Sequence, residues 1–530
     1  MRDWAYYKKY VLIMPLIQTS LLTPSYNDPV VHQVYCGLDS ALTLEIFQAL
    51  APANQSNPIY AFERALQAPA LEMMLRGIKV DRAAAISGIQ TINTKIRVLD
   101  SFLQECAGAM WDKKFKTKEG DLVTINHASS AQLKDFLYHT MHLPEQFKIE
   151  KGVKKLSVDR ECLEKLDDYA YARPILNSIL QIRDLVKQRE VFQTDIDNDG
   201  RIRTSFNIAG TTTGRWSSSS SSEDTGRNLQ NIDEDLRHIF IADKGWKLCG
   251  IDLEQVESRE VGWLQGILFD RWEYLDVCYA EDLHTYVTKI AWPHLPWVGE
   301  KKADRAVAET IFYRGLPYRF YSKKLGHGSN YYGKPATLSK HTKLPESECA
   351  RFQEAYFAAF SGFPIWHEWV HEQLMTTQSL TTIWGRTRHF FGRPDDDSTL
   401  REAIAYAPQS SGSGDRTNLI LWRLWQYLPN IKLLLQLHDA IYFLYQEHEE
   451  HTVIPRALSL FDIRMQHTDK NGKLRELIVP GEAKVGWNMG NYSTEADVAS
   501  KHASRVNLLG LKKYVPNVRD DRGSACGIRI

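Results

Sequence analysis

Two short apolar runs, each ending in a carboxylate, constrain this chain more than any other feature of its sequence. One run leads into Asp252 within GIDLEQVESR, and the other leads into Asp439 within LQLHDAIYF. A charged side chain beside a buried strand is uncommon unless it is paired or bound to a metal ion. Two such carboxylates, once brought together, would hold Mg²⁺, the ion that proteins use on substrate phosphates.

Length and composition set the class of protein. A chain of 530 residues exceeds one hydrophobic core, so we expect two or more subdomains. Its 43% hydrophobic and 25% charged residues are typical of a soluble globular protein, and no apolar stretch reaches membrane-spanning length. The net charge is zero, so a nucleic-acid surface requires local clustering of basic residues. The seven cysteines show no CxxC pair, which predicts reduced thiols in the cytoplasm.

A basic segment, residues 313–340, lies between the two carboxylates and contains six Lys or Arg residues and no acid. Four of its side chains recur at four-residue spacing: Arg319, Lys323, His327 and Tyr331. This spacing predicts that they share one face of a helix that begins near Leu316. Cations at one end of the face suit a triphosphate, and rings at the other end suit a base. The alternative is an amphipathic surface helix, but solvated faces usually mix both signs of charge.

Each aspartate taken alone is well explained as a turn residue. Asp252 follows a strand at 246–251, and Asp439 lies in a tight turn between strands at 433–437 and 441–444. Strands among long helices predict an α+β fold. The two aspartates and the basic segment together predict a nucleotidyl-transfer site, where charge and positioning supply most of the catalysis.

Several ordered motifs give the sequence a resemblance to the family A, polymerase I-like DNA polymerases over about residues 35–495. The family's motif A appears as Asp252, Gln255, Val256, Glu257 and Arg259, its motif B as Arg319, Lys323, His327 and Tyr331, and its motif C as His438-Asp439. Further matches are Thr213-Gly214-Arg215, Asn228-Leu229-Gln230-Asn231, Arg237, Asp282-Leu283-His284-Thr285, Arg401, Gln409 and Glu482-Ala483-Lys484-Val485-Gly486. Each motif alone is weak, but chance does not explain so many in the same order.

The resemblance implies an α+β fold shaped like a right hand, with palm, fingers and thumb, an antiparallel palm sheet and long helices. It divides the chain into an exonuclease-like remnant (1–60), the thumb (61–205), the first part of the palm (206–265), the fingers (266–400), the second part of the palm (401–495) and a C-terminal tail (496–530). The tail receives no function.

The activity implied by the resemblance is that of a DNA-directed DNA polymerase in DNA replication. Such an enzyme adds dNMPs to a primer 3′-OH with two Mg²⁺ ions, for which Mn²⁺ can substitute. Primer–template DNA and dNTPs are the implied partners, together with a separate exonuclease subunit or a processivity factor, and no membrane is involved.

The resemblance also implies roles for individual residues. Asp252 and Asp439 would bind both metal ions, with the Leu253 carbonyl as a further ligand. These two aspartates would be catalytic together with Lys323, which would also protonate the leaving pyrophosphate. The dNTP would be bound by Arg319, Lys323, His284, Glu257, His327, Tyr331 and Gln255. Glu257 would crowd the ribose 2′ position and so exclude ribonucleotides.

Contacts to the primer–template are implied for a second set of side chains. These are Arg215, Arg401, Gln409, His438 and Asn231. Minor-groove acceptors are shared by all base pairs, so such contacts would be independent of sequence.

The chain departs from the family pattern at several positions. Ala440 stands where motif C usually has an acid, and we expect lower activity at most because both aspartates remain. His327 replaces Phe or Tyr and resembles some bacteriophage members, which predicts a phage-type protein in the host cytoplasm. Tyr332 occupies a position where glycine is common, and Ala405 replaces a frequent Asn.

The amino terminus resembles the last motif of the family's 3′–5′ exonuclease. Tyr35 and Asp39 match that motif, but the nuclease also requires an Asp-x-Glu at its first motif. The only acids before Tyr35 are Asp3 and Asp28. The sequence therefore predicts no proofreading by this polypeptide alone, with the exonuclease either separate or lost.

Two other functions compete with a DNA polymerase. A single-subunit RNA polymerase shares the palm architecture, but Glu257 and residues 228–231 favour DNA. An inert polymerase-like clamp or replisome scaffold would not need Asp252, Asp439 and Lys323. A globular protein with coincidental motifs is disfavoured by their order.

Overall fold

The computed structural model describes residues 29–54, 56–116, 122–150, 153–220, 225–500 and 502–516. The chain divides into two compact units, Met1–Ala65 and Leu66–Ile530. Asp3 and Asp28, which entered the exonuclease prediction, lie outside the described residues, as does the end of the predicted tail. No described helix has the length and apolar character needed to cross a bilayer.

Helices account for most of the described chain. The α-helices are α1 (Pro29–Asn54), α2 (Pro58–Arg76), α3 (Arg82–Met110), α4 (Ser130–Lys134), α5 (Arg160–Glu164), α6 (Arg173–Phe192), α7 (Val256–Phe269), α8 (Glu273–Ala280), α9 (Leu283–Ala291), α10 (Lys301–Ala308), α11 (Tyr318–Asn330), α12 (Pro335–Thr342), α13 (Glu346–Ala359), α14 (Gly362–Thr376), α15 (Asp397–Gln409), α16 (Thr417–Tyr427), α17 (Glu450–Phe461) and α18 (Glu495–Ala499). Two π-helices, Asp135–Thr140 and Ser410–Arg416, and two 3₁₀ helices, Glu234–Ile239 and Glu447–Glu449, complete the set.

The strands are short, and the named pairs are antiparallel. They are β1 (Ile78–Val80), β2 (Phe115–Lys116), β3 (Leu122–Val123), β4 (Phe147–Glu150), β5 (Val153–Leu156), β6 (Arg201–Ile202), β7 (Ser205–Asn207), β8 (Ser217–Ser219), β9 (Phe240–Ile241), β10 (Trp246–Leu253), β11 (Ile311–Tyr313), β12 (Leu316–Pro317), β13 (Ser379–Thr381), β14 (Thr387–His389), β15 (Lys432–Leu437), β16 (Ala440–Gln446), β17 (Met465–Thr468), β18 (Leu474–Leu477), β19 (Gly481–Gly486) and β20 (Lys512–Lys513). Helices with antiparallel sheets confirm the predicted α+β class.

A five-stranded sheet, here called the central sheet, lies within the larger unit. Its strand order is β15-β16-β10-β19-β20, so β10 is the middle strand. Residues 248–251 of β10 are buried in succession, which explains why their sequence is a continuous apolar run without alternation. Asp252 follows this run and is in register with Ala440 on one side and Glu482 on the other.

The serine-rich loop and the C-terminal tail each contain a strand that the sequence did not predict. The serine-rich loop predicted at 215–227 contains β8, which pairs with β7. The tail, which received no function, contributes β20 to the edge of the central sheet, where Lys512 is in register with Val485. Serines and lysines are weak strand formers, so this pairing follows from the neighbouring strands more than from local preference.

Two buried ion pairs hold the second π-helix in place. Arg416 Nε donates to Glu260 Oε1 of α7 at 2.8 Å, and both side chains are fully buried. Arg386, in the turn between β13 and β14, donates to Asp415 Oδ1 at 2.7 Å. Burial raises the pKa of Glu260, and the positive charge of Arg416 opposes that rise. Buried charges of this kind tolerate little displacement, because an unpaired charge is costly.

Arg416→Met should strongly destabilise the protein. The substitution keeps the length of the side chain but leaves Glu260 buried without its partner, so we expect a loss of about 3–5 kcal/mol in the free energy of unfolding. Urea denaturation followed by circular dichroism measures this loss. Arg464→Met is the control, because Arg464 pairs with Asp462 at the surface and its removal should have little effect. Equal stability of the two variants would contradict the role of the buried pair.

Candidate active site

A cleft of about 400 Å³ opens where β10 ends. Nine of the residues selected from the sequence line it: Arg215, Asp252, Leu253, Gln255, Glu257, His284, Lys323, His327 and Asp439. These residues come from five separate stretches of sequence, and the fold brings them to one cavity. We refer to this cavity as the cleft.

The backbone of the central sheet positions the two aspartates. Asp252 is in register with Ala440, and the Leu253 amide donates to the Asp439 carbonyl at 3.2 Å. The turn between β15 and β16 places His438 in the left-handed region, with φ of 58°. A tight hairpin requires such a conformation, which residues other than glycine rarely adopt. The turn therefore sets Asp439 beside Asp252 at a cost in backbone strain.

The two carboxylates lie among other negative charges. Partial burial in the cleft and the negative charge of Asp439 raise the pKa of Asp252 to about 6. Burial also raises the pKa of Asp439, as does the nearby charge of Glu257. Among the described residues, neither aspartate forms an ion pair with Lys, Arg or His. A bound cation would stabilise the ionised form of two carboxylates that are partly buried beside other negative charges.

The donor set fits Mg²⁺. This ion is commonly held by one or two carboxylates, with substrate phosphates and water completing its coordination. The described residues contain no cluster of three or more His, Cys, Asp or Glu able to hold a metal. Two carboxylates and a nearby backbone carbonyl would leave the other coordination positions of such an ion to water or to substrate oxygens.

Helix α11 carries the cations of the basic segment toward the cleft, with one difference from expectation. The helix begins at Tyr318 and ends at Asn330, so Tyr331 follows it as the C-cap, with φ of −102° and ψ of 34°. Tyr331 therefore leaves the helical row that the four-residue spacing predicted. The row itself is continued by Lys323 and His327, which line the cleft.

Acids from elsewhere in the chain reach the basic segment, so the lack of acids within it does not leave all of its cations unpaired. Arg319 donates to both oxygens of Asp282, at 2.8 and 2.9 Å. Lys334 pairs with Asp397 at 2.6 Å. By contrast, Lys323 is exposed and has no ion pair with another described residue. The unpaired positive charge at the cleft is therefore concentrated at Lys323.

Asp282 and His284 form the start of α9 against Arg319. Burial alone would raise the pKa of Asp282, but hydrogen bonds from Arg319 and Thr285 and the guanidinium charge lower it below its usual range. Burial, followed by the charge of Arg319, lowers the pKa of His284 to about 4. His284 is consequently neutral at pH 7 and can donate a hydrogen bond without carrying a charge.

Glu257 is the centre of a hydrogen-bond network at the rim of the cleft. Its Oε2 accepts from the Tyr331 hydroxyl at 2.6 Å. Its Oε1 accepts from the Arg215 guanidinium and from Ser413 Oγ at 3.1 Å. Burial, followed by the Glu257 charge, raises the pKa of Tyr331, which keeps its hydroxyl protonated. Tyr331 does not line the cleft itself, but it hydrogen-bonds Glu257, which does.

The π-helix packs closely on the loop that carries Arg215. A Cβ added at Gly414 would lie 2.5 Å from the Thr213 carbonyl oxygen, and Asn418 Nδ2 donates to the Gly214 carbonyl at 2.9 Å. Only glycine allows such an approach. This contact fixes the position of Arg215 relative to Glu257.

The other residues selected from the sequence lie outside the cleft lining. They are Arg319, Tyr331, Asn231, Arg401, Gln409 and His438. Asn231 and His438 are exposed, and Gln409 is the last residue of α15, directly before the π-helix. Arg401 Nε donates to the Asp397 carbonyl at 3.1 Å.

Sequence reasoning missed two contributors to the site. Ser413 bonds Glu257 and Arg215, and Asp282, to which the sequence assigned no role of its own, fixes Arg319. The spacing of Ser413 four residues after Gln409 was visible, but a run of small residues gives no indication of which hydroxyl faces the site. The departure at Tyr332 is also explained, because its φ of 60° is the conformation that glycine adopts most easily.

A sequence profile described as DNA polymerase family A matches residues 98–491. The chain belongs to DNA polymerase family A. The family resemblance inferred from the ordered motifs is thereby confirmed, and the whole tail (496–530) lies beyond the matched region. That the chain is a phage-type member lacking an exonuclease stays a prediction.

Individual family A relatives are similar over different lengths. The chain is 28% identical over 335 residues to the thermostable DNA polymerase I of Thermus aquaticus, covering 60% of this chain and 37% of that protein. It is 27% identical over 465 residues to that of Thermus filiformis, covering 81% and 50%. DNA polymerase I of Helicobacter pylori is 28% identical over 395 residues, covering 71% and 38%. The chain therefore spans half or less of the length of these relatives.

A solved family A structure supports the fold. The POL domain of Pol1 from M. smegmatis, in complex with DNA primer-template and dNTP, superposes with a TM-score of 0.65 at 23% identity. The alignment covers 83% of this chain and 72% of that chain. At this identity the similarity concerns the fold, and it confirms the predicted polymerase fold with antiparallel sheets.

Asp282→Asn should destabilise this family A chain at neutral pH by about 1–3 kcal/mol, because Arg319 loses a charged acceptor. The folded pKa of Asp282 lies below the unfolded value of about 3.9. The ionised Asp282 therefore contributes its full stabilisation of the folded protein when the pH lies above the unfolded-state pKa. This stabilisation is lost as the pH falls through the folded-state pKa. The stability difference between the natural protein and the variant should shrink as pH falls below about 4.

Thermal unfolding at a series of pH values measures this difference. Asp395→Asn is the control, since Asp395 and Arg393 form an exposed pair. A constant difference for Asp282→Asn across the series would contradict the ionised pair with Arg319.

Proposed function

We propose that this chain is a template-directed DNA polymerase that adds dNMPs to a primer 3′-OH during DNA replication. The observation that supports it most is that, in a family A chain, one cleft is lined by Asp252, Asp439 and Lys323. The polymerase domain with the same fold was solved with primer-template and dNTP, the substrates proposed here.

Two Mg²⁺ ions would be held by the carboxylates of Asp252 and Asp439, with the Leu253 carbonyl as a further ligand and Mn²⁺ as a substitute. Bound metal supplies a lowered pKa for the attacking hydroxyl and neutralises the leaving oxygen. The raised pKa of both aspartates supports this assignment, because their repulsion and desolvation are relieved when a cation binds.

The triphosphate would be bound by side chains of unequal charge. Lys323 offers an ammonium group that no described carboxylate neutralises, so it can hold the phosphates and protonate the leaving pyrophosphate. Arg319 contributes a guanidinium whose orientation Asp282 fixes through two hydrogen bonds. His284, neutral because of its lowered pKa, would donate a hydrogen bond to a phosphate oxygen.

The sugar and base of the dNTP would contact the other end of the cleft. Glu257 would crowd the ribose 2′ position, and its three hydrogen-bond donors support a fixed carboxylate there. His327 and Gln255 line the same cavity, and Tyr331 would stack near the insertion site. This arrangement favours dNTPs by steric exclusion of a hydroxyl.

Primer–template DNA would contact residues at and beyond the rim: Arg215, Asn231, Arg401, Gln409 and His438. The Arg215 side chain is partly exposed at the rim, so part of its guanidinium can contact a phosphate or a base edge there. Residues 61–205 would act as the thumb, 206–265 and 401–495 as the palm, and 266–400 as the fingers. The protein would work in the cytoplasm, without proofreading of its own, alongside a separate exonuclease or processivity factor.

Asp252→Ala and Asp439→Ala should abolish primer extension with Mg²⁺ and four dNTPs, because each removes a metal ligand. Duplex binding, measured by fluorescence anisotropy, should survive, since a negative charge has been removed near DNA. Asp462→Ala changes a surface carboxylate and should extend primers like the natural protein. Tight binding without extension by the natural protein would instead favour an inert clamp, and normal extension by either site variant would refute the metal assignment.

Lys323→Ala should slow extension at saturating dNTP by about tenfold or more, because an ammonium at the leaving phosphate is lost. Lys324→Ala is a matched control. Lys324 is the adjacent residue on α11 and lies over the Phe320 ring, away from the cleft lining. Single-turnover kinetics measure both variants, and equal rates for the two would show that Lys323 has no special role.

A further inference from the structure

One buried hydroxyl in the π-helix bonds two of the side chains that surround the cleft. Ser413 Oγ lies 3.1 Å from Glu257 Oε1 and 2.6 Å from Arg215 Nη2. The serine is 1% exposed, so water does not compete for these bonds. Arg215 is the obligatory donor to the oxygen, which leaves the hydroxyl proton for the carboxylate of Glu257.

The three hydrogen-bond donors to the Glu257 carboxylate differ in how rigidly the structure holds them. The carboxylate has three donors, of which Tyr331 lies beyond the end of α11, Arg215 lies on a loop and Ser413 lies in the buried π-helix. The ion pairs of Asp415 and Arg416 anchor the segment that carries Ser413. Ser413 is therefore the donor with the most rigid support, and it bonds the Arg215 guanidinium and the Glu257 carboxylate at the same oxygen.

We infer that Ser413 is a positioning residue for substrate selection: it fixes the Glu257 carboxylate and the Arg215 guanidinium, so that Glu257 stays where it excludes a ribose 2′-hydroxyl. This inference rests on the proposed polymerase function. Without the hydroxyl, Glu257 Oε1 and Arg215 each lose one buried partner. The carboxylate can then turn aside and admit a ribonucleotide, because specificity by exclusion depends on a rigid obstacle.

The same segment supplies a matched control. Ser411 is also buried, but its Oγ has no hydrogen-bond partner among the described residues. Ser413→Ala and Ser411→Ala therefore remove the same atom from the same buried π-helix. Only the first removes bonds to Glu257 and Arg215.

The experiment measures single-nucleotide incorporation of a dNTP and the matching rNTP on a primed template. The discrimination against ribose is the kcat/KM for the dNTP divided by the kcat/KM for the rNTP. It is measured for the natural protein, Ser413→Ala, Ser411→Ala, Glu257→Ala and the double variant Glu257→Ala/Ser413→Ala. We expect Ser413→Ala to lower it about fivefold to tenfold, the net value of one typical intramolecular hydrogen bond. Ser411→Ala should leave it unchanged.

The double variant separates positioning from a general structural effect. If Ser413 acts through Glu257, removing its hydroxyl should not lower discrimination further once Glu257 is alanine. An additive loss in the double variant, or equal discrimination in Ser413→Ala and the natural protein, would overturn the inference. Ser413→Cys, with similar volume and a weak S–H donor, replaces the alanine variant if that one does not fold, and should show intermediate discrimination.

The outcomes distinguish this inference from the proposed function. A natural protein that incorporates neither nucleotide refutes both. A natural protein that selects dNTPs, with Ser413→Ala behaving like Ser411→Ala, refutes the inference and leaves the polymerase function standing.

Discussion

The site depends above all on the two buried ion pairs that anchor the π-helix. Glu260 with Arg416 and Asp415 with Arg386 join α7, the π-helix and the turn after β13. Neither pair can open without leaving a charge in a dry interior, so the three elements keep one relative position. The π-helix in turn packs against the loop of Arg215 with no space for a side chain at Gly414. π-helical turns often occur at functional sites, and here the turn carries a hydroxyl to the rim of the cleft.

Charge is distributed unevenly across the cleft, and this asymmetry follows from pairing. On one side, two carboxylates form no ion pair with a described cation. Burial raises the pKa of both, and repulsion by Asp439 adds to the rise at Asp252, as repulsion by Glu257 does at Asp439. On the other side Arg319 is neutralised by Asp282, and burial keeps His284 uncharged. Lys323 also lines the cleft, and it is exposed and forms no ion pair with a described carboxylate. A substrate carrying both phosphates and metal ions complements the two sides at once.

Backbone strain occurs at three positions that directly adjoin residues of the site. Gln255, His438 and Tyr332 adopt left-handed conformations, with φ of 52°, 58° and 60°. Gln255 directly follows the strand of Asp252, and His438 forms the turn before Asp439. Such conformations persist only where the surrounding structure enforces them. The ring of Tyr332 packs edge-on against His367 at 5.3 Å, a contact that offsets part of the strain.

The sequence alone determined the family, the central strands and the carboxylates that end them, because a buried strand and an unusual charge leave a local pattern. Ordered motifs likewise identified Lys323, Glu257 and Arg215 before any geometry was known. Only the tertiary structure decided which charges neutralise each other. Asp282 lies 37 residues before Arg319, and no local rule pairs them. It also decided that the Tyr331 hydroxyl bonds Glu257 and that Ser413, rather than Ser411, bonds Glu257 and Arg215. Such contacts depend on which elements pack together, and sequence spacing does not record that packing.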